Sequence, residues 1–150
     1  MFIAKNNDLI ILTKNTREEL EKALLFMVYT SIEETDTEYV LYEGNYIPKE
    51  EKEAIEKQKE QERLNNLKMT KADFWIALLD RDITKEMVKE KIELIPDEKL
   101  KAKTLIRLND ADNFWRGDAS MNVVGKMFGI TPQELDYLFE NGELPKNEAW

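Results

Sequence analysis

The side chains able to do chemistry in this chain are few in kind, because its 150 residues include neither cysteine nor histidine. The lack of cysteine excludes disulfides and zinc–thiolate sites, and the lack of histidine excludes Ser-His triads and imidazole acid–base catalysis. Carboxylates and lysines remain, but 31 acidic residues place carboxylates near one another by chance. No catalytic pair or phosphate-binding loop can be singled out. We therefore predict a protein that is not an enzyme and that needs no cofactor.

The segment NDADNFWRGD, residues 109–118, contains two short motifs that bear on ligands. An EF-hand loop starting at Asp110 would need glycine at its sixth position and glutamate at its twelfth. Those positions hold Trp115 and Met121, so the sequence predicts no metal site. The Arg-Gly-Asp tripeptide beginning at Arg116 matches an adhesion motif, but we expect this arginine to make a cation–π contact or to cap carbonyl groups at a helix end.

Residues 123–142, VVGKMFGITPQELDYLFENG, have the rhythm of a helix-turn-helix. The second helix opens with a capping box at Thr131 and a proline at its first position. A helix that reads DNA needs cations for the phosphates. This helix has no lysine or arginine but three acidic side chains: Glu134, Asp136 and Glu140. We predict that the motif is used structurally and that the chain does not bind DNA directly.

The net charge of −9 is concentrated at the two ends of the chain. Residues 1–48 carry 4 basic and 9 acidic side chains, and residues 118–150 carry 2 and 6, whereas the region between them is balanced. The ends supply the candidate acidic residues for partner binding: Glu33, Glu34, Asp36, Glu38, Glu43, Glu134, Asp136 and Glu140.

One basic stripe interrupts this pattern. Lys99, Lys103 and Arg107 are spaced i, i+4, i+8, so they share one face of a helix. The stripe could grip phosphates or an acidic partner. The simpler interpretation, which we favour, is a solvated face opposite the leucines of the same helix.

Hydrophobic periodicity and turn signals predict an α+β fold that is predominantly α. Residues 1–48 form a small acidic unit with a hairpin around Asn7, a helix capped by Thr16 and a second hairpin around Gly44. Residues 49–68 form a charged linker helix, because their few apolar residues sustain no heptad.

The rest of the chain reads as helical. Residues 69–143 predict a bundle of about five short helices with the helix-turn-helix at its end, and residues 144–150 form a tail. One of these helices starts at Pro96 and is expected to run towards Trp115. The expected core is aromatic: Phe74, Trp75, Phe114, Trp115, Phe128 and Phe139.

No run in the sequence approaches the roughly 18 apolar residues of a membrane span. The N-terminus lacks the charged and then apolar layout of a signal peptide. We therefore expect a cytoplasmic protein that does not associate with a membrane.

Three segments resemble the C-terminal helical region of small proteins encoded in the tail modules of phages and prophages of low-GC bacteria. They are MTKADFWIALLDRDITKEMV, IPDEKLKAKTLIRLNDADNFWRGD and VVGKMFGITPQELDYLFENG. In that family a Met-Thr-x-x-Asp-Phe start, a Phe-Trp-Arg segment and a Gly-Ile-Thr-x-x-x-Leu-Asp-x-Leu-Phe end recur. The N-terminal half is similar to the short α+β head and charged helix of the same proteins, so the resemblance spans residues 1–143. Its motifs are structural and carry no catalytic signature.

The resemblance implies a non-catalytic phage accessory protein that acts by protein–protein contact in tail or tail-fibre assembly. Its partner would be a phage tail component, and its place the host-cell cytoplasm or the virion. The alternative is a phage-encoded acidic inhibitor of a host defence nuclease, similar to anti-CRISPR proteins. In that case the candidate carboxylates would stand in for phosphates and would be drawn to a basic channel. The oligomeric state is left open.

Overall fold

The computed structural model describes residues 1–25, 27 and 29–146. The chain divides into two compact units, an N-terminal unit of residues 1–60 and a C-terminal unit of residues 61–150. Helices and small antiparallel sheets occur together, so the predicted α+β class is confirmed. The predominance of helix is confirmed only in part, because strands occur throughout the N-terminal half.

The N-terminal unit begins with a three-stranded antiparallel sheet whose first strand is central. Its elements are β1 (Phe2–Asn6), β2 (Leu9–Lys14), α1 (Arg17–Ala23), β3 (Ser31–Glu34), β4 (Tyr39–Tyr42) and β5 (Asn45–Pro48). Helix α2 (Lys49–Asn65) begins in this unit, and its last five residues belong to the C-terminal unit. The predicted first hairpin forms, with Asn7 at φ 55°, a left-handed conformation that asparagine tolerates. The sequence analysis missed β3, because this mostly polar strand is defined by its pairing with the distant β1.

Helix α1 packs against this sheet and closes a small core. The Thr16 hydroxyl accepts from the backbone N–H of Glu19 at 3.2 Å, and the Glu19 carboxylate accepts from the backbone N–H of Thr16 at 3.3 Å. This reciprocal pair confirms the predicted capping box. The helix then buries Leu20 and Leu24 against Ala4 of β1.

Strands β4 and β5 form the second predicted hairpin. Its turn holds Glu43 at φ 48° and Gly44 at φ 87°. The following helix α2 buries none of its residues, as expected for a charged helix without a core face. It ends at Asn65, three residues before the predicted boundary at Lys68.

The described residues of the C-terminal unit form five short helices after α2, in agreement with the predicted number. Its further elements are β6 (Lys68–Thr70), α3 (Lys71–Leu79), α4 (Lys85–Glu93), α5 (Glu98–Asp110), β7 (Asn113–Trp115), α6 (Ala119–Met127) and α7 (Pro132–Asn141). The sequence analysis missed the antiparallel pair of β6 and β7. The predicted continuation of α5 towards Trp115 is wrong, because Ala111 turns to extended backbone and the next residues pair with β6.

This short strand pair also corrects the predicted aromatic core. Phe74, Phe114 and Phe139 are buried as expected, but Trp115 is 46% exposed. Successive side chains of a strand point to opposite faces, so Phe114 enters the core and its neighbour turns outward. Of the remaining predicted core aromatics, Trp75 and Phe128 are only half-buried. Aliphatic residues complete the centre of the unit: Leu78, Val88, Ile92, Leu108, Met121, Val124, Leu135 and Leu138.

Helices α6 and α7 form the predicted helix-turn-helix, and they approach each other closely at Gly125. A Cβ at this glycine would lie 2.8 Å from Leu135 Cδ1 and 3.0 Å from the carbonyl oxygen of Ile130. Gly129 takes φ 68° in the turn, and Thr131 makes the predicted capping box with Glu134.

Gly125→Ala is expected to lower the free energy of unfolding of the C-terminal unit. Overpacking costs about 1–3 kcal/mol, and the better helix propensity of alanine offsets about 1 kcal/mol of this. Urea unfolding followed by tryptophan fluorescence would measure the difference, since all three tryptophans belong to this unit. Leu135→Ala should weaken the effect of Gly125→Ala by opening space beside the new methyl group. A Gly125→Ala protein more stable than wild type would contradict the prediction.

Among the described helices, none is long and apolar enough to cross a membrane.

Candidate interaction site on the C-terminal unit

The three acidic side chains of α7 that the sequence analysis chose for partner binding are each held by an arginine of the same unit. Arg81 donates to the Glu134 carboxylate at 2.8 Å, and Arg116 donates to the Asp136 carboxylate at 2.6 Å. Glu140 is paired with an arginine at the end of α2, Arg63. These acidic residues therefore attach α7 to the unit. Their partners lie 53, 20 and 77 residues away along the chain, so no local signal could have found them.

Arg116 is the buried centre of this attachment. Its guanidinium donates to Asp136 Oδ1 at 2.6 Å, to Asn122 Oδ1 at 3.0 Å and to the carbonyl oxygen of Pro132 at 3.2 Å. The expected cation–π contact is replaced by this ion pair, and the carbonyl that it reaches belongs to the first turn of α7. Because Arg116 is only 6% exposed, the Arg-Gly-Asp tripeptide does not present its arginine for adhesion.

Glu134 combines its ion pair with the helix cap. The Thr131 backbone N–H donates to its carboxylate at 2.8 Å, and Arg81 donates to the other oxygen. These two contacts, of which the one from Thr131 has the larger effect, hold the pKa of the Glu134 carboxyl below its ordinary value. Both favour the charged form, so they stabilise the fold only while Glu134 is ionised.

The stability contributed by Glu134 should therefore depend on pH. It is fully present above the unfolded-state pKa, about 4.3 for glutamate, and is lost as the pH falls through the lower folded-state pKa. As the pH is lowered from neutral to about pH 3, the free energy of unfolding, measured by chemical denaturation, should decrease less steeply for Glu134→Gln than for wild type. Arg81→Met, which removes the second contact and keeps the first, should fall between the two. Equal slopes in wild type and Glu134→Gln would contradict this expectation.

The acidic candidates of the N-terminal unit are also mostly compensated within that unit. Glu33 pairs with Lys5 at 2.8 Å, and the same lysine lowers the pKa of the Glu33 carboxyl. Lys59 pairs with Glu43 at 3.0 Å and lowers the pKa of that carboxyl. Glu38 pairs with Lys49 at 3.1 Å. The remaining two candidates, Glu34 and Asp36, make no ion pair with any described residue.

The basic stripe is exposed on α5. Arg107 pairs with Asp118 at 3.1 Å, whereas Lys99 and Lys103 have no ion pair within the described ranges. On the helical wheel Ile106 lies next to Lys99, on the side away from Lys103, and it is 58% exposed. The outward face of α5 is therefore both basic and apolar, a feature that the sequence analysis did not use.

Helix α3 has apolar side chains on both of its faces. The inward face buries Phe74, Ala77 and Leu78. The outward face carries an apolar row of Ala72, Ile76 and Leu79, of which Ile76 is 60% and Leu79 is 58% exposed. The spacing i, i+4, i+7 places the row on one side of the helix.

Two further features of the described surface bear on ligand binding. Within residues 1–25, 27 and 29–146, no group of three or more acidic side chains could hold a metal ion. A groove of about 410 Å³ beside the turn of the helix-turn-helix is lined by Lys126, Ile130, Pro132 and Leu135, among other residues. The described residues that line it include no carboxylate.

Comparison with family models, with curated proteins and with solved structures finds no match to this chain.

Proposed function

We propose that this chain is a non-catalytic phage or prophage accessory protein that acts by protein–protein contact in the assembly of a tail or tail fibre. The observation that carries the proposal is the apolar row on α3. A helix that is apolar on both faces is expected to be covered on both, and the described residues of the C-terminal unit bury only the face with Phe74 and Leu78. The row would then face a partner protein.

Burial of the row would supply useful binding energy. Each large aliphatic side chain that leaves water contributes about 1.5–3 kcal/mol, and Ile76 and Leu79 are both more than half exposed. The side chains project from a helix whose other face is fixed in the core, so little ordering is needed when a partner binds. A rigid apolar row of this kind suits a structural contact that persists at high salt.

The ion pairs favour this proposal over the alternative of an acidic nuclease inhibitor. A phosphate mimic needs carboxylates that are free to meet a basic channel. Six of the eight candidate carboxylates are instead paired with lysines or arginines of their own unit. The α7 helix also offers no lysine or arginine to DNA phosphates, so the proposed partner is a protein. The proposed location is the host-cell cytoplasm, where tails assemble, or the virion.

The test is affinity capture by the tagged full chain from cells that produce its phage, with washes at low and then high salt. We expect capture of an identified tail or fibre protein that survives high salt, because apolar contacts are not screened. The double variant Ile76→Glu/Leu79→Glu should lose this protein. The matched control, Leu9→Glu/Leu41→Glu, changes two leucines that are 58% and 59% exposed on strands of the N-terminal unit, and it should retain capture.

Two results would overturn the proposal. One is capture of a basic host nuclease that elutes as salt rises, which would favour the inhibitor. The other is capture of a tail protein that is indifferent to the α3 double variant, which would remove the role of the apolar row.

A further inference from the structure

The outward faces of α3 and α5 carry opposite charges beside apolar side chains. On α3 the apolar row is flanked along one side by Asp73 and Asp80, both exposed. On α5 the exposed Ile106 lies next to Lys99 on the helical wheel and about one turn after Lys103 along the helix. The acidic side chains of the α3 face are therefore complementary to the basic side chains of the α5 face.

Two charged side chains on each face make no ion pair with a described residue. With a rise of about 1.5 Å per residue, Asp73 and Asp80 lie about 10 Å apart along their helix, and Lys99 and Lys103 lie about 6 Å apart along theirs. Asp80 has no ion pair among the described side chains, and Asp73 accepts a hydrogen bond from the neutral Thr70 hydroxyl at 2.6 Å. Lys99 and Lys103 are equally without a described partner, so these four charges are available to an intermolecular contact.

We propose that the apolar row of α3 docks on the α5 face of a second copy of this chain. Ile76 and Leu79 would pack beside Ile106, and Asp80 would meet Lys103 or Lys99 at the edge of the contact. This inference rests on the proposed function, since it names the partner of the same α3 face. A contact between two different faces closes into a ring or a two-fold dimer, or it continues as a filament, and assembly of a tail uses such repeated contacts.

A second copy fits the α5 face better than a nucleic acid does. Only two cations of the stripe are unpaired, and residues 61–150 carry 14 basic and 17 acidic side chains. A polyanion would therefore meet net repulsion from this unit. It would also leave Ile106 without an apolar contact. The α3 face satisfies both the charges and the apolar side chain.

Sedimentation velocity of the purified full chain over a range of concentrations tests the proposal. We expect a dimer or larger species in low salt. Asp80→Lys and Lys103→Glu should each weaken association by about tenfold or more, equivalent to about 1.4 kcal/mol. An equimolar mixture of the two variants should associate again, because the α3 face of one then carries the charge opposite to the α5 face of the other. The control Lys89→Glu, an exposed lysine of α4, should associate like wild type.

A wild-type chain that stays monomeric at all concentrations overturns the proposal, and so does a mixture that fails to restore association. Far-UV circular dichroism of each variant shows whether it is folded, and the exposed positions of the three changed residues make unfolding an unexpected result. A monomeric chain that still captures a tail protein through α3 would refute self-association and leave the proposed function intact. Self-association without capture of a tail or fibre protein would support the contact between copies and refute the proposed role in tail assembly.

Discussion

Asp136→Ala is expected to lower the free energy of unfolding of the C-terminal unit by about 3 kcal/mol, within the range for breaking a buried ion pair. The Arg116 side chain is 7% exposed and the Asp136 side chain 27%, and their atoms are 2.6 Å apart. Removal of the carboxylate leaves a buried guanidinium with two neutral acceptors, the Asn122 side chain and the Pro132 carbonyl. Urea unfolding followed by tryptophan fluorescence would measure the loss.

The double variant Asp136→Ala/Arg116→Met should recover much of that stability, because it removes the uncompensated charge together with its partner. Glu140→Ala is the matched control on the same helix. Its pair with Arg63 is exposed on both sides, and exposed ion pairs contribute about 0–1 kcal/mol. A loss in Asp136→Ala no larger than in Glu140→Ala would show that the Arg116 network does not hold α7 in place.

Phe74→Ala is expected to cost about 3–5 kcal/mol. Phe74 is fully buried, and its ring centroid lies 5.3 Å from Trp75, 4.9 Å from Phe114 and 6.5 Å from Phe139. Truncation therefore removes apolar burial and two edge-to-face ring contacts, and it leaves a cavity among helices that cannot fully close it. Thermal unfolding followed by far-UV circular dichroism would measure the change.

Trp115→Ala is the comparison that makes this prediction specific. The sequence places Phe74 and Trp115 in the same aromatic core, but Trp115 is 46% exposed and its ring contacts the Lys68 ammonium at 5.8 Å. We expect its truncation to cost about 1 kcal/mol or less. Equal losses in the two variants would mean that Trp115 packs as the sequence alone suggests.

The turns and helix caps of this protein can be predicted from the sequence alone. The hairpins around Asn7 and Gly44 and the capping boxes at Thr16 and Thr131 were all predicted and are present. Each depends on interactions between residues a few positions apart, such as a hydroxyl and the N–H three residues later. The number of helices after α2 follows from the same kind of signal.

Which of the candidate site residues are exposed and which are paired depends on the tertiary structure. The sequence shows that Glu134, Asp136 and Glu140 are acidic, but not that Arg81, Arg116 and Arg63 fold back to them. It shows an apolar helix at α3, but not which of its faces the other helices cover.

The pairing of β6 with β7 also depends on the tertiary structure, because it joins segments that are distant along the chain. Once that pair forms, strand alternation exposes Trp115 and buries Phe114. Charge and hydrophobicity are properties of single residues, whereas pairing and burial are properties of the packed chain. The candidate interaction site depends on which charged side chains are paired and which apolar side chains are buried, and both follow from packing.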